Sequence, residues 1–112
     1  MQLAYSTSKI QKLATTEKEL VKAFGANVAK AIQMRIAVLL AVPSLIDVPS
    51  EPPERRHLLI GKRNGQWSIA ARNGICICVV PNQVPLPLND DGSIDLTKVV
   101  SVEIVYIGDY HK

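Results

Sequence analysis

The spacing of apolar residues changes period once along this chain, and the change falls at a run of prolines. Val28, Ile32, Ile36 and Leu39 recur at intervals of four and three, the repeat of a helix with one buried face. From Arg55 the pattern becomes strand-like, with apolar-rich stretches over 56–60, 65–71, 74–80 and 99–107. Between the two regimes lie Pro43, Pro49, Pro52 and Pro53. Proline lacks an amide proton and fixes φ, so Pro43 ends the helix and the 43–54 segment reads as an ordered loop. Helices followed by strands predict an α+β domain, with N-terminal helices packed on one face of a small, mostly antiparallel sheet. A chain of 112 residues suits a single domain over 1–112 with one core.

The same rules place the smaller elements. Residues 2–5 read as an edge strand or extended lead-in. Ser6, Thr7 and Ser8 offer hydroxyls to cap a short helix over 9–14. Thr16, with Glu19 three residues on, fits a capping box for a second helix that turns Leu20, Val21 and Phe24 inward and stops near Gly25. In the third helix Lys30 and Arg35 fall off the apolar stripe, and Met34 reads as core filler. Arg72-Asn73-Gly74 is a hairpin signal, because Asn-Gly accommodates the positive dihedral angles of a tight turn. Residues 62–65 read as a second turn, Trp67 as a core or hairpin anchor, and 81–98 as a long connection.

Composition limits the partners. Apolar residues make up 47% of the chain and charged residues 21%, an ordinary globular balance. The net charge of +3 permits an anionic partner such as RNA or an acidic peptide without requiring one. One Trp, one Phe and three Tyr supply no array of stacking platforms for single-stranded nucleic acid. The first ten residues lack a basic start followed by an apolar core, so no secretion signal is expected. Residues 28–42 are too short and too polar to span a bilayer. Cys76 and Cys78 lie two apart on one strand face, poorly placed to bridge each other, and read as buried reduced thiols. A cytoplasmic protein without a metal or cofactor is the expectation.

Chemistry concentrates at the C-terminal end. Gly108-Asp109-Tyr110-His111-Lys112 follows the last strand and sets a carboxylate, a phenol and an imidazole side by side. Neutral imidazole takes or gives a proton near pH 7, and a neighbouring phenol or carboxylate orients it. The alternative is an ordinary polar tail. His57 and His111 together, without a cysteine pair, fall short of a typical metal site.

Several of these segments, in this order, resemble the RelE/HigB toxins of bacterial toxin–antitoxin pairs, most closely the HigB-like killer proteins. The segments are Lys12-Leu13 with Glu17-Lys18-Glu19-Leu20-Val21-Lys22, then residues 28–35, then Pro52-Pro53-Glu54-Arg55-Arg56-His57. They continue with Gly61-Lys62-Arg63-Asn64-Gly65-Gln66-Trp67-Ser68-Ile69, and with Val102-Glu103-Ile104-Val105 leading to Asp109-Tyr110-His111. The resemblance covers nearly the whole chain. It implies a RelE/ParE-like fold and a ribosome-dependent, metal-independent mRNA endonuclease. That enzyme cuts by attack of the RNA's own 2′-hydroxyl and is silenced by a cognate antitoxin, expected to be of helix-turn-helix type.

Matched onto this chain, the resemblance makes His57, Asp109, Tyr110 and His111 the catalytic candidates. Where the family has a Lys, three residues after the matching His, this chain has Ile60. Where it has an Arg in the strand after the hairpin, this chain has Cys76. Neither can donate a charge-assisted hydrogen bond to a phosphate. Arg55, Arg56, Lys62, Arg63 and Arg72 are the candidates to supply the missing charge and bind RNA; the alternative is a solvated basic edge. Three readings follow. One is an active RNase toxin. The second is a weakened or inactive relative that keeps antitoxin binding and an operon-regulatory role. The third is an inhibitor of a protein target such as DNA gyrase.

Overall fold

The computed structural model describes Met1–His111; Lys112, the last residue of the terminal run, lies outside the described residues. Among these residues the fold is α+β, with three α-helices packed on a five-stranded mixed sheet. The order along the chain is β1 (Gln2–Tyr5), α1 (Ser8–Thr15), α2 (Glu17–Phe24), α3 (Ala26–Ala41), β2 (His57–Leu58), β3 (Trp67–Arg72), β4 (Ile75–Pro81) and β5 (Ser101–Gly108). Across the sheet the order is β1-β5-β4-β3-β2. The β1–β5 pair is parallel and the other three pairs are antiparallel. No helix among the described residues is long and apolar enough to cross a membrane.

The helices form where the sequence places them, with instructive exceptions. The Thr7 side chain caps α1 by accepting from the Ile10 amide at 3.1 Å. Thr16 precedes α2 without a side-chain cap bond, so the expected capping box does not form there. Leu20 is buried on α2 while Val21 is 39% exposed, because a face only two turns long has room for residues four apart and not for their neighbours. On α3 the stripe of Val28, Ile32, Ile36 and Leu39 is buried as its spacing predicts, and Met34 points outward at 54% exposure. Arg35 reverses the expectation. It lies three residues from Ile32 and four from Leu39, which places it on the buried face, and its Nε donates to the Ala70 carbonyl at 2.8 Å.

One sheet face meets the helices. Ile69 pairs with Ile77, and Ile77 with Ile107, in a row of cross-strand partners that joins Leu20, Ile32 and Leu39 in the core. Burying such side chains contributes about 1.5–3 kcal/mol each. The proline-rich 43–54 segment is ordered by the same core: Leu45 and Val48 are fully buried, and the Leu45 amide donates to the Val99 carbonyl at 2.9 Å. The long connection is also tied down. The Gln83 side chain donates to the Lys98 carbonyl at 3.0 Å and accepts from the Val100 amide at 2.6 Å.

The other sheet face carries His57, Ser68, Ala70, Cys76, Cys78, Tyr106 and Gly108. His57 pairs with Ser68, Ser68 with Cys78 and Cys78 with Tyr106; in the next row Ala70 pairs with Cys76 and Cys76 with Gly108. Cross-strand partners share a face, so the pairing register alone brings β2 and the end of β5 to the same side of the sheet. The expected strand over 56–60 is shorter than predicted. Only His57 and Leu58 pair, and Gly61 (φ +76°) then turns the chain into a short 3₁₀ segment over Gly61–Arg63.

Candidate functional site

His57 on β2 and the tail after β5 meet over this face. The Tyr110 hydroxyl donates to Nε2 of His57 at 3.2 Å. Nδ1 of His57 lies 3.0 Å from the Arg55 carbonyl oxygen. A carbonyl can only accept, so Nδ1 carries the ring proton and the neutral imidazole presents a lone pair at Nε2. Arg55 aims that carbonyl from a left-handed backbone conformation, φ +50°, uncommon for a residue with a side chain.

His111 is held by its own neighbour. Asp109 Oδ1 accepts from the His111 amide at 2.9 Å and from His111 Nδ1 at 3.0 Å. The carboxylate therefore keeps the proton on Nδ1 and leaves Nε2 facing away from it. The Tyr110 and His111 rings stack, with centroids 4.1 Å apart and an interplanar angle of 30°. The turn of the β3–β4 hairpin backs the carboxylate. Gly74 has φ +80°, and a Cβ there would lie 3.4 Å from Asp109 Oδ2.

These groups open on a cleft of about 390 Å³ whose walls include Arg55, His57, Arg72, Cys76, Tyr110 and His111. Two cations and two imidazoles thus share one concavity, in the size range of small-ligand sites. Cys76 is buried, and burial pushes its thiol pKa up, as does the Asp109 charge, while a Ser68 contact pulls the other way. A neutral thiol is a poor nucleophile, so Cys76 lines the cleft as a small apolar side chain. Among the described residues no three His, Cys, Asp or Glu side chains are grouped to hold a metal ion.

The remaining cations divide. Lys62 and Arg63 line a neighbouring cleft of about 320 Å³ with Tyr106, Asp109 and Tyr110. Arg56 turns away from both. Its Nε donates to the Val48 carbonyl at 2.8 Å, and its guanidinium lies 5.5 Å from the Trp67 ring centroid, so it ties β2 to the proline-rich segment. Trp67 packs against the core, as its anchor role predicts. Ile60 is 86% exposed and lines neither cleft.

Three contributors were not apparent from residue types. The Arg55 carbonyl acts through the backbone, which sequence reading of side chains passes over. Tyr106 lies under the Arg63 guanidinium, 3.8 Å from Cζ to the ring centroid. Gly108 gives Tyr106 its place, since a Cβ there would be 2.6 Å from the phenol oxygen. The alternation along β5 and a glycine at its end were the available signals.

No family model matches the chain, and no curated protein matches it in sequence.

Proposed function

We propose that this chain is the toxin of a type II toxin–antitoxin pair, an endoribonuclease that cleaves mRNA on the ribosome by attack of the 2′-hydroxyl. The observation that carries the reading is the meeting of His57 with Tyr110 and His111, residues distant in sequence, in a cleft walled by Arg55 and Arg72. Motif order supports it, through the resemblance to HigB-like killer proteins of RelE/ParE-like fold. A cytoplasmic location and a helix-turn-helix antitoxin partner belong to the same reading.

In this reading the parts of the reaction divide among these side chains. The 2′-hydroxyl proton passes to the Tyr110 oxygen as Tyr110 passes its own to Nε2 of His57. The 2′-oxygen forms a bond to phosphorus, and the bond to the 5′-oxygen breaks. His111, as the imidazolium held by Asp109, donates from Nε2 to the departing 5′-oxygen. Arg55 and Arg72 offset the charge of the phosphorane, a role in which one lost stabiliser costs about 10²–10³ in rate. The products are a 2′,3′-cyclic phosphate and a 5′-hydroxyl. In this reading Arg55 and Arg72 take the place of the cations absent at Ile60 and Cys76.

Those two positions also favour a second reading, a toxin relative without nuclease activity that binds an antitoxin and regulates its operon. Ile60 presents an uncharged side chain to solvent and Cys76 a buried neutral thiol. Incubation of the purified protein with programmed ribosomes, followed by mapping of RNA ends, separates the readings. New 5′-hydroxyl ends, lost when the scissile nucleotide is 2′-deoxy, are expected. Intact RNA in the presence of folded protein supports the second reading instead.

A further inference from the structure

We propose that the cleft lined by Lys62, Arg63, Tyr106, Asp109 and Tyr110 is a second subsite that binds the RNA phosphate adjacent to the scissile one; this rests on the ribonuclease reading above. The two clefts abut, because Tyr110 lines both and Asp109 lines the second while holding His111 of the first. A chain seated at His57 and His111 therefore continues past Tyr110 toward Lys62.

The second cleft selects for phosphate over a base. One face of the Tyr106 ring is covered by the Arg63 guanidinium, and the Tyr110 ring is stacked on His111. Toward a ligand the cleft presents the two cations Lys62 and Arg63 beside the Asp109 carboxylate. Arg63 is pre-organised, its Cζ 3.8 Å from the Tyr106 centroid and its Nη1 donating to Gln66 Oε1 at 3.2 Å. A guanidinium fixed in this way loses little freedom on binding an anion. Lys62 is exposed at the rim and adds an unstacked ammonium. The Asp109 carboxylate also lines this cleft, but its Oδ1 already accepts two bonds from His111.

The consequence is a requirement on the substrate: a phosphate beyond the cut tightens binding. The probe is a set of 2′-O-methyl dinucleotides, which cannot be cleaved, carrying no terminal phosphate, a 5′-phosphate or a 3′-phosphate. Binding is read by calorimetry at low salt. One of the two terminal phosphates is expected to tighten binding about tenfold, about 1.4 kcal/mol. In Lys62→Ala and Arg63→Gln that gain shrinks to about twofold or less, and in Lys62→Glu it disappears. Circular dichroism confirms that each variant is folded, and Lys62, being exposed, serves if Arg63→Gln is not.

Equal binding of all three dinucleotides by the parent protein overturns the proposal, as does a gain that survives in every folded variant. The ribonuclease reading fails separately. RNA left uncut while the phosphate gain persists removes the nuclease and leaves the subsite. RNA cut without any phosphate gain removes the subsite alone.

Discussion

Tyr110 and His57 stand 53 positions apart in sequence and share a hydrogen bond of 3.2 Å, from the phenol to Nε2. The bond exists because β3 and β4 place β2 and the end of β5 on the same face of one sheet. The Arg55 carbonyl, holding Nδ1–H at 3.0 Å, determines which imidazole nitrogen the phenol meets.

If Tyr110 and His57 form one relay, removing either part costs most of what removing both costs. Tyr110→Phe and His57→Gln are each expected to lower RNA cleavage by about 10²–10⁴, and the double variant by little more than the worse single one. Fully additive losses in a cleavage assay would count against a shared relay.

Asp109→Asn should act through His111 and not through folding. An amide oxygen still accepts from Nδ1–H but carries no negative charge to set against the charge that moves through the ring during proton transfer, so cleavage should fall by about 10²–10³. Thermal unfolding of the variant should stay near that of the parent. A large loss of stability at full cleavage would assign Asp109 a structural role instead.

Arg35 ties α3 to β3 through the Ala70 carbonyl. Arg35→Met keeps the apolar stem and leaves that carbonyl without its donor, a cost of about 1–3 kcal/mol. Urea unfolding should show a lower midpoint with an unchanged slope. An unchanged midpoint would mean that the α3–β3 contact does not depend on the bond.

Burial pushes the Cys78 thiol from 9.0 up to about 11, with the Arg63 charge pulling the other way. The folded state thus holds this proton more tightly than the unfolded chain. Stability from this group is fully present below about pH 9 and is lost as pH rises toward about 11. Cys78→Ala, though less stable at neutral pH, should lose less stability between those two values than the parent. Parallel curves from denaturant titrations would refute the assignment.

Gly108→Ala places a methyl group where the Tyr106 phenol now lies. Displacing a ring stacked under Arg63 should cost about 1–3 kcal/mol. The double variant Gly108→Ala, Tyr106→Ala should not carry the clash. If Gly108→Ala alone melts with the parent, the ring is free to move aside.

Much of this architecture was legible in the order of periods. The helical stripe from Val28 to Leu39, the proline-rich break and the Asn73-Gly74 turn each appear where local rules place them. The departures divide between local ones within single helices and those set by the register between elements, which is not local. Arg35 falls off the stripe of apolar residues as the sequence reads, yet its spacing from Ile32 and Leu39 places it on the buried face, where its guanidinium meets the Ala70 carbonyl. Arg56 and His57 are neighbours in sequence, yet His57 lines the cleft while Arg56, just before β2, reaches the Val48 carbonyl and the Trp67 ring. The tail at 109–111 was legible as chemistry, but its partner across the sheet depended on the pairing of β2 with β3. The carbonyl of Arg55 had no side-chain signature at all.

Whether His111 transfers a proton to RNA is decided by induced expression in a bacterial host, with growth and mRNA 5′ ends compared between the parent protein and His111→Ala. Growth arrest with new 5′-hydroxyl mRNA ends is expected for the parent, and loss of both in a variant that accumulates to the same level as folded protein. Normal growth and unaltered mRNA ends with soluble parent protein, or identical cleavage by His111→Ala, would contradict it.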